Sequence, residues 1–321
     1  MKDTVPKVKV GRTGLEIPRI GLGTGFLARP DMLISEQKAL ETVRYALSRG
    51  INFFDTAPMY GSGHAEKRLG KALAEFPRDS FVIETKVGRL VQPDGKVIFD
   101  YSPDSLKRSL EESLERLKMD RVDILLMHDP EGAFSEPGQA LEVFPLLADW
   151  RAQGVVKAIG AGMNQWEWPA EFARQADFDC FLLAGRYTLL EQKPATEFFP
   201  LCLEKGISVF AAGVYNTGIL ATGPVEDAMY NYQPAPEAVK EKVRRLEAIC
   251  QKHDVSLNGA ALQFPTTHPA VTSLIVGAKN PAEIADNLEK LQQPIPEALW
   301  LELKKAGFIA PYVPVTLSPF A

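Results

Sequence analysis

A regular alternation of short apolar segments with amphipathic helical segments constrains the fold of this chain more than any other feature of its sequence. Each apolar segment has the length of a strand, and the residues between such segments repeat apolar side chains at helical spacing. Strands separated by helices in this way are typical of a parallel sheet that helices cover. The predicted strands comprise residues 20–23, 52–55, 82–86, 122–127, 155–160, 181–183, 208–211 and 272–276.

Two architectures fit this alternation, a closed barrel of parallel strands and a doubly wound open sheet. The count of eight strand–helix units favours the barrel. The glycine fingerprint of dinucleotide-binding open sheets is incomplete, because Phe26 stands where a third glycine should follow Gly21 and Gly23. We therefore predict one α/β domain over residues 1–321, a (β/α)8 TIM barrel with an N-terminal β-hairpin at residues 7–18 and extra C-terminal helices.

Local signals predict where several of the connecting segments begin and end. Ser102, Pro103 and Asp104 predict a helix start, with a hydroxyl cap, a proline at the first helical position and an acid in the first turn. Apolar spacing predicts a continuous helix at residues 139–153. Residues 213–236 are rich in Gly, Pro, Asn and Tyr, which predicts a long loop or lid.

Composition narrows the classes of partner and compartment. The chain is 45% apolar with a net charge of −5 and no basic block, which argues against nucleic acid or an anionic membrane as a partner. No apolar run is long enough to span a bilayer, and residues 1–6 lack a signal core. We expect a cytoplasmic protein that is a monomer or a small homo-oligomer and that acts on a small molecule.

The residues that most often bind metals are too scattered to form a recognisable site. Cys180, Cys202 and Cys250 contain no CxxC pair, and the four histidines lack metal-ligand spacing. His64 and Glu66 match part of the zinc-deaminase motif, but its P-C-x-x-C partner is absent. The sequence therefore predicts no metal and no disulfide framework, and the cysteines are expected to be buried thiols.

Polar residues end three successive predicted strands, where barrel enzymes place their chemistry. Asp55, Lys86 and His128 occupy these ends, and Tyr60 follows Asp55 on the next loop. Each residue alone has a structural explanation, such as a turn cap or a core aromatic. Together they form a proton-transfer set, because an ammonium lowers the pKa of a nearby phenol from about 10 and a carboxylate keeps that ammonium charged. A histidine can hydrogen-bond the substrate oxygen.

Several short motifs spread over nearly the whole chain occur together in one protein family. They are Gly21-Leu22-Gly23-Thr24, Asn52-Phe53-Phe54-Asp55-Thr56-Ala57 with Tyr60-Gly61, Glu66 with Leu69-Gly70, Thr85-Lys86, Arg116-Leu117, Val122-Asp123 with His128, Val276-Gly277-Ala278, and Asn287-Leu288. In this combination the sequence resembles the aldo-keto reductases. The resemblance implies an eight-stranded barrel and hydride transfer with a nicotinamide cofactor. It places the family's catalytic tetrad on Asp55, Tyr60, Lys86 and His128, with Tyr60 as the general acid or base.

The resemblance also implies which residues bind the cofactor, although some family residues are replaced. Asn164 fills the carboxamide-binding role if its loop shifts by one residue, and Tyr215 or another ring replaces the usual stacking tyrosine. Glu283 occupies a position that is basic in relatives that use NADP, and a carboxylate repels a 2′-phosphate, which favours NAD. Glu283 also fits a helix cap. The predicted cofactor-binding residues are Gly23, Thr24, Asp55, Asn164, Tyr215, Gly277, Lys279, Glu283 and Asn287.

Within the family, residues 128–131, 160–162 and 186–190 resemble sugar 1-dehydrogenases that act on L-fucose, L-galactose and D-threo-aldoses. This resemblance implies NAD-dependent oxidation of the anomeric C1 hydroxyl of an aldose, of the L-fucose, L-galactose or D-arabinose type, to a lactone. Trp166 and Arg186 are the predicted substrate contacts, and loop packing is the alternative for each. Pyridoxal 4-dehydrogenase and general aldehyde or ketone reductase are alternative activities. A redox-sensing regulatory subunit is the non-enzymatic alternative.

Overall fold

The computed structural model describes residues 5–28, 34–92 and 94–315. Its strands, in chain order, are β1 (Lys7–Lys9), β2 (Glu16–Pro18), β3 (Ile20–Gly23), β4 (Phe53–Asp55), β5 (Val82–Val87), β6 (Arg89–Val91), β7 (Val97–Phe99), β8 (Ile124–His128), β9 (Ala158–Met163), β10 (Cys180–Ala184), β11 (Ser208–Ala212), β12 (Met229–Tyr230), β13 (Gln233–Pro234) and β14 (Val271–Gly277). Its α-helices are α1 (Glu36–Ser48), α2 (His64–Leu73), α3 (Pro103–Leu117), α4 (Pro137–Ala140), α5 (Phe144–Ala152), α6 (Glu167–Gln175), α7 (Phe198–Lys205), α8 (Ile219–Thr222), α9 (Glu237–Lys252), α10 (Leu257–Gln263), α11 (Pro281–Gln292) and α12 (Glu297–Lys305).

Eight strands form a closed parallel barrel, in the order β3, β4, β5, β8, β9, β10, β11 and β14, with β14 paired to β3. The predicted (β/α)8 architecture is therefore confirmed. The predicted N-terminal hairpin is also present, as the antiparallel pair β1 and β2. The last helix, α12, is the additional helix at the C-terminal end.

The N-terminal hairpin closes one end of the barrel. Val10 and Ile17 belong to the same buried cluster as Phe53 and Val82, which face the barrel interior. The hydroxyl of Ser208, at the start of β11, accepts a hydrogen bond of 2.7 Å from the backbone N–H of Gly11. Because these contacts lie at the strand starts, the opposite end remains as the mouth of the barrel.

Strand β5 shows how the barrel separates its two layers of side chains. Val82 packs in the interior cluster, whereas Ile83 and Val87 pack in the outer cluster between the sheet and the helices. Since side chains alternate along a strand, Glu84 and Lys86 face the interior with Val82. The interior is thus apolar at the strand starts and polar near the mouth.

Two predicted elements differ most from the structure. The predicted strand at residues 155–160 starts too early, because Val155 lies in a turn where its N–H bonds the carbonyl of Trp150 at 2.9 Å. The predicted helix at residues 139–153 is broken into α4, a 3-10 turn at Leu141–Val143, and α5. Pro145 has no N–H to donate to the carbonyl four residues earlier, which explains why the helix does not run through this point.

The helix start at residues 102–104 is correct, but the predicted hydroxyl cap is wrong. The helix begins at Pro103, and Ser102 has the extended backbone of an N-cap residue. The Ser102 hydroxyl makes no cap bond and donates to the carboxylate of Asp100 at 2.7 Å. The Ser102 hydroxyl is therefore directed at Asp100, and no helix N–H group bonds its oxygen.

The predicted long loop at residues 213–236 contains local structure. It includes the short helix α8 and the two-stranded hairpin of β12 and β13. The hairpin turns through Asn231 and Tyr232, which have φ values of 50° and 63°. A turn with two left-handed residues matches the twist of its strands, and asparagine is favoured at its first position.

Asp123 immediately precedes β8 at the closed end of the barrel. Its side chain bonds residues of three neighbouring segments. Its carboxylate lies 2.5 Å from Arg78 Nη2 and 3.0 Å from Lys157 Nζ, and it accepts the N–H of Ile83 at 3.0 Å. The Asp123 side chain is only 2% exposed. These contacts lie at the end of the barrel opposite the mouth. Residues at that end stabilise the fold and take no part in the chemistry.

We expect Asp123→Ala to lower the free energy of unfolding by about 3 kcal/mol, because it leaves two cations and a buried N–H without their partner. Urea denaturation measures this change. The control is Asp79→Ala, which removes an ion pair to Arg121 from a side chain that is 89% exposed. The control should cost less than about 1 kcal/mol. Equal losses in the two variants would contradict this role for Asp123.

Candidate active site

The four residues of the predicted tetrad come together at the mouth of the barrel. Asp55 ends β4, Lys86 lies near the end of β5, and His128 ends β8. These strands are neighbours in the barrel, and the alternation of side chains turns all three groups inward. Tyr60 reaches the same point from the loop after β4, with its ring 5.9 Å from the His128 ring in an edge-on contact at 87°.

Lys86 lies at the centre of this group and is 1% exposed. Its ammonium forms an ion pair with Asp55, donates to the Thr56 carbonyl at 2.9 Å, and lies 5.0 Å from the centroid of the Tyr60 ring. Burial lowers the pKa of Lys86, but its acidic neighbours, with the charge of Asp55 first among them, outweigh this effect and raise the pKa above its ordinary value. Lys86 is therefore an ammonium at neutral pH.

A glycine on the neighbouring strand makes room for this lysine. A Cβ atom at Gly162 would lie 3.3 Å from Lys86 Cε, which is a tight contact. Gly162 is the register partner of His128 in the pairing of β8 with β9. Packing beside Lys86 thus explains the glycine at position 162, a reason that the sequence alone did not indicate.

Burial dominates the pKa of Tyr60. Burial raises this pKa, Lys86 lowers it and Asp55 raises it further, so that the net pKa lies above its ordinary value. The predicted effect of Lys86 is present, but the predicted net lowering of the Tyr60 pKa is wrong. Loss of water around the hydroxyl disfavours the phenolate more than one ammonium stabilises it. Tyr60 is therefore a neutral phenol at neutral pH.

His128 is a neutral imidazole at the mouth. Burial lowers its pKa well below the ordinary value, and the positive charges of Lys86 and Arg89 lower it further. Its Nδ1 atom is buried and has no hydrogen-bond partner among the described residues, and its Nε2 atom lies 3.9 Å from a carboxylate oxygen of Asp129. A neutral imidazole so placed can donate one hydrogen bond to a substrate oxygen.

Three further charged residues surround His128 and were not predicted as site residues. Arg89 forms an ion pair with Asp129, and its guanidinium lies 5.5 Å from the ring centroid of Phe99. Asp129 adopts a left-handed backbone with φ of 49°. Glu131 follows in the next turn, and one of its carboxylate oxygens is buried without a partner in the described part of the chain. The sequence signals for Asp129 and Glu131 are their proximity to His128 and the resemblance of residues 128–131 to sugar 1-dehydrogenases.

A buried network behind β5 holds the strand in place. The carboxylate of Glu66 on α2 accepts a hydrogen bond of 2.7 Å from the Thr85 hydroxyl and one of 2.6 Å from Arg116 on α3. Glu66 is fully buried. Because Thr85 immediately precedes Lys86, this network positions the lysine from the opposite face of the strand.

The predicted cofactor-binding residues of the first strands surround Asp55. Gly23 is the register partner of both Asp55 and Gly277. The Thr24 hydroxyl donates to the backbone carbonyl of Asp55 at 2.9 Å. A Cβ atom at Gly277 would lie 2.2 Å from the ring of Phe26, so this ring packs directly on the backbone of β14. These residues form a compact corner at the mouth.

The residues predicted to bind the remainder of the cofactor lie at the ends of β11 and β14. The Tyr215 hydroxyl donates to the side chain of Asn287 at 3.2 Å. The carboxylate of Glu283 accepts the N–H of Lys279 at 2.9 Å, and Asn280 caps α11 by accepting the N–H of Glu283 at 3.0 Å. The alternative of Glu283 as a helix cap is therefore confirmed, and its role toward the cofactor stays a prediction.

The loop residues that were predicted to bind the substrate or the nicotinamide lie after two neighbouring strands, β9 and β10. Asn164 is the first residue after β9, and Trp166 is the N-cap residue of α6 and packs against the core. Arg186 donates to the side chain of Asn231 at 2.8 Å and so joins the loop after β10 to the hairpin of β12 and β13. Packing roles are thus present for Trp166 and Arg186, and their substrate roles stay predictions.

All three cysteines are buried and unpaired. Residues 5–28, 34–92 and 94–315 contain no group of three or more His, Cys, Asp or Glu side chains that could hold a metal ion. In the same ranges, no helix is both long enough and apolar enough to cross a bilayer.

Comparison with known proteins decides the family. The model of the aldo/keto reductase family matches residues 19–307, which includes every strand of the barrel. The chain belongs to the aldo-keto reductase family. Members of this family are oxidoreductases that use a nicotinamide cofactor, and this protein is accordingly an oxidoreductase.

Two dehydrogenases are similar to this chain over nearly their whole length. D-threo-aldose 1-dehydrogenase from a Pseudomonas species is 40% identical over 316 residues, covering 92% of this chain and 96% of that protein. Pyridoxal 4-dehydrogenase from Microbacterium luteolum is 35% identical over 340 residues, covering 95% and 98%. In fold, the structure of an aldo-keto reductase from Bacillus halodurans in its holo form matches with a TM-score of 0.78 and 24% identity over 98% of each chain.

Glu131 gives the mouth a testable dependence on pH. Burial raises the pKa of Glu131 to about 7, with a smaller raising effect from Asp129. The folded protein thus holds this proton more tightly than the unfolded chain, in which the pKa is near 4.5. The stability that Glu131 contributes is fully present below the unfolded value and is lost as pH rises through about 7.

We expect Glu131→Gln to reduce the loss of stability between about pH 5 and about pH 8, because the amide cannot ionise. Urea denaturation at both pH values measures the difference for each protein. Glu136→Gln, at an exposed position five residues along the chain, is the matched control. If the variant and the wild type lose the same stability over this range, the buried carboxyl is not responsible.

Proposed function

We propose that this aldo-keto reductase oxidises the anomeric C1 hydroxyl of an aldose to a lactone, with NAD as the hydride acceptor. The observation that carries the proposal is the 40% identity with D-threo-aldose 1-dehydrogenase over 92% of this chain. The convergence of Asp55, Tyr60, Lys86 and His128 at the barrel mouth supports it, because these groups can move a proton at a substrate oxygen.

In this reaction Tyr60 moves the proton at the O1 atom of the sugar. The neutral phenol, which predominates at neutral pH, donates a proton to a carbonyl oxygen in reduction, and the minor phenolate form accepts the hydroxyl proton in oxidation. Lys86 stabilises the phenolate, and Asp55 fixes Lys86 by their ion pair. His128, as a neutral imidazole, orients the same oxygen. A bound nicotinamide would supply the acceptor for the hydride from C1.

The residues around this corner fit a nicotinamide cofactor. Asn164 and Tyr215 follow β9 and β11 and would hold the nicotinamide end, whereas Lys279, Glu283 and Asn287 would hold the adenosine end. The carboxylate of Glu283 is fixed at the start of α11 by the N–H of Lys279. A fixed carboxylate repels a 2′-phosphate and can accept a hydrogen bond from a free 2′-hydroxyl, which supports NAD over NADP.

The polar lining of the mouth suits a substrate with many hydroxyl groups. Arg89 and Asp129 lie beside His128, and a paired guanidinium and carboxylate can donate to and accept from adjacent hydroxyls. Arg186 adds a second guanidinium on the loop after β10.

The second candidate is oxidation of pyridoxal at C4, which also yields a lactone. The 35% identity with pyridoxal 4-dehydrogenase over 95% of this chain favours it. The same proton transfer at Tyr60 would serve both reactions. The two candidates differ in the substrate that the loops after the later strands accept.

We expect NADH formation, followed at about 340 nm, with one or more of L-fucose, L-galactose and D-arabinose, and lower kcat/KM for pyridoxal. The same panel with NADP should give lower kcat/KM for the best sugar, since Glu283 repels the extra phosphate. Turnover of pyridoxal alone would replace the aldose proposal with the second candidate. Equal or higher efficiency with NADP would refute the cofactor assignment.

We expect Tyr60→Phe to lower kcat by a factor of about 100 to 10,000, because the proton at O1 loses its acceptor. Binding of NADH, measured by fluorescence titration, should be unchanged. Tyr45→Phe, which removes a hydroxyl that bonds Arg49 on the outer helix α1, is the matched control. Wild-type kcat in the Tyr60→Phe variant would exclude Tyr60 as the general acid or base.

A further inference from the structure

A second carboxyl group is buried beside the ion pair of Lys86 and Asp55. Glu84 lies two residues before Lys86 on β5 and faces the barrel interior with it. Its side chain is 0% exposed, and one oxygen lies 3.8 Å from Lys86 Nζ. Neither carboxylate oxygen of Glu84 accepts a hydrogen bond from any donor among the described residues.

The nearest polar neighbour of Glu84 is the other carboxyl group. Glu84 is the register partner of Asp55 in the pairing of β4 with β5, so that their side chains lie side by side. Side chains of register partners on neighbouring strands extend from the same face of the sheet, here the barrel interior. Two adjacent buried carboxylates repel one another, and a hydrogen bond between them requires a proton on one of the two.

The charges around Asp55 and Glu84 indicate that one of these two carboxyl groups carries a proton. The charged groups that act on Glu84 in the described part of the chain are Asp55 and Lys86, and the one other titratable group that it influences from across the barrel is the thiol of Cys180. Burial raises the pKa of this thiol, so Cys180 adds no charge. One ammonium in a dry interior balances one carboxylate, and Asp55 holds the ammonium by the shorter contact.

We propose that Glu84 is a positioning residue that, as a neutral carboxylic acid, donates a hydrogen bond to Asp55 and so holds that carboxylate against Lys86. The donated hydrogen bond satisfies the buried carboxyl of Glu84, which otherwise has no partner. It also leaves the charge of Lys86 available to Tyr60, because an ionised Glu84 would compete for the ammonium. Burial and the nearby Asp55 both raise the pKa of Glu84 well above its ordinary value, in agreement with a neutral acid.

Infrared spectroscopy tests the protonation without any turnover. At about pH 9, where Glu131 is ionised, the difference spectrum of wild type minus Glu84→Gln should contain the carbonyl-stretching band of a protonated carboxylic acid. This band should shift in D₂O. A difference spectrum with a carboxylate band instead would overturn the proposal, since Glu84 would then be ionised.

Kinetics tests the positioning role and depends on the proposed function, whereas the infrared experiment does not. Glu84→Gln keeps a donor toward Asp55 and should retain kcat within about threefold. Glu84→Leu removes the donor at similar volume and should lower kcat by about tenfold or more, with KM values unchanged. Val82→Ala, two residues earlier in the same interior row, is the matched control for lost packing and should lower stability while leaving kcat unchanged.

The comparison of the two Glu84 variants distinguishes positioning from packing. Equal kcat values for Glu84→Gln and Glu84→Leu would refute a positioning role, because only the leucine variant loses the hydrogen bond. If no sugar is oxidised by the wild type, the proposed function fails while the infrared result still decides the protonation of Glu84.

Discussion

The buried ion pair of Lys86 and Asp55 is the interaction on which the rest of the site depends. Moving two such charges out of water costs several kcal/mol per ion, and their attraction offsets this cost only with good geometry and further hydrogen bonds. The Thr56 carbonyl, 2.9 Å from the ammonium, supplies one such bond. Gly162 supplies the space beside the lysine stem. Without the pair, Tyr60 would have no cation to stabilise its phenolate.

The barrel makes this pair possible because it sets three adjacent strand ends at one mouth. β4, β5 and β8 are neighbours in the sheet, and inward-facing side chains alternate along each of them. Phe53, Val82 and Ile124 fill the lower interior with apolar groups. The charges therefore gather in one layer above an apolar floor, where water is excluded from below. Glu66, which Arg116 holds, bonds Thr85 on the outer face of β5. This bond fixes the backbone from which the Lys86 side chain extends.

Elements with local signals were predicted well. Helix α11 begins at Pro281 with Asn280 as its cap, and the carboxylate of Glu283 bonds the backbone in the same turn. Such caps depend on residues within one turn of each other, which a sequence displays directly. The predicted cap was wrong because the Ser102 hydroxyl bonds the carboxylate of Asp100, two residues earlier, and no N–H group of the helix. The strand β9 was misplaced because its start is set by pairing with β8 rather than by its own apolar residues.

The sequence by itself determined the barrel, the four tetrad residues and the order in which their strands meet, because periodicity and residue type carry that information. Only the tertiary structure decided how these groups ionise. Burial raises the pKa of Tyr60 in spite of Lys86 and keeps His128 neutral, and the pairing of β4 with β5 places Glu84 beside Asp55. Ionisation depends on the water that packing removes and on charges from other strands, and neither is visible along the chain.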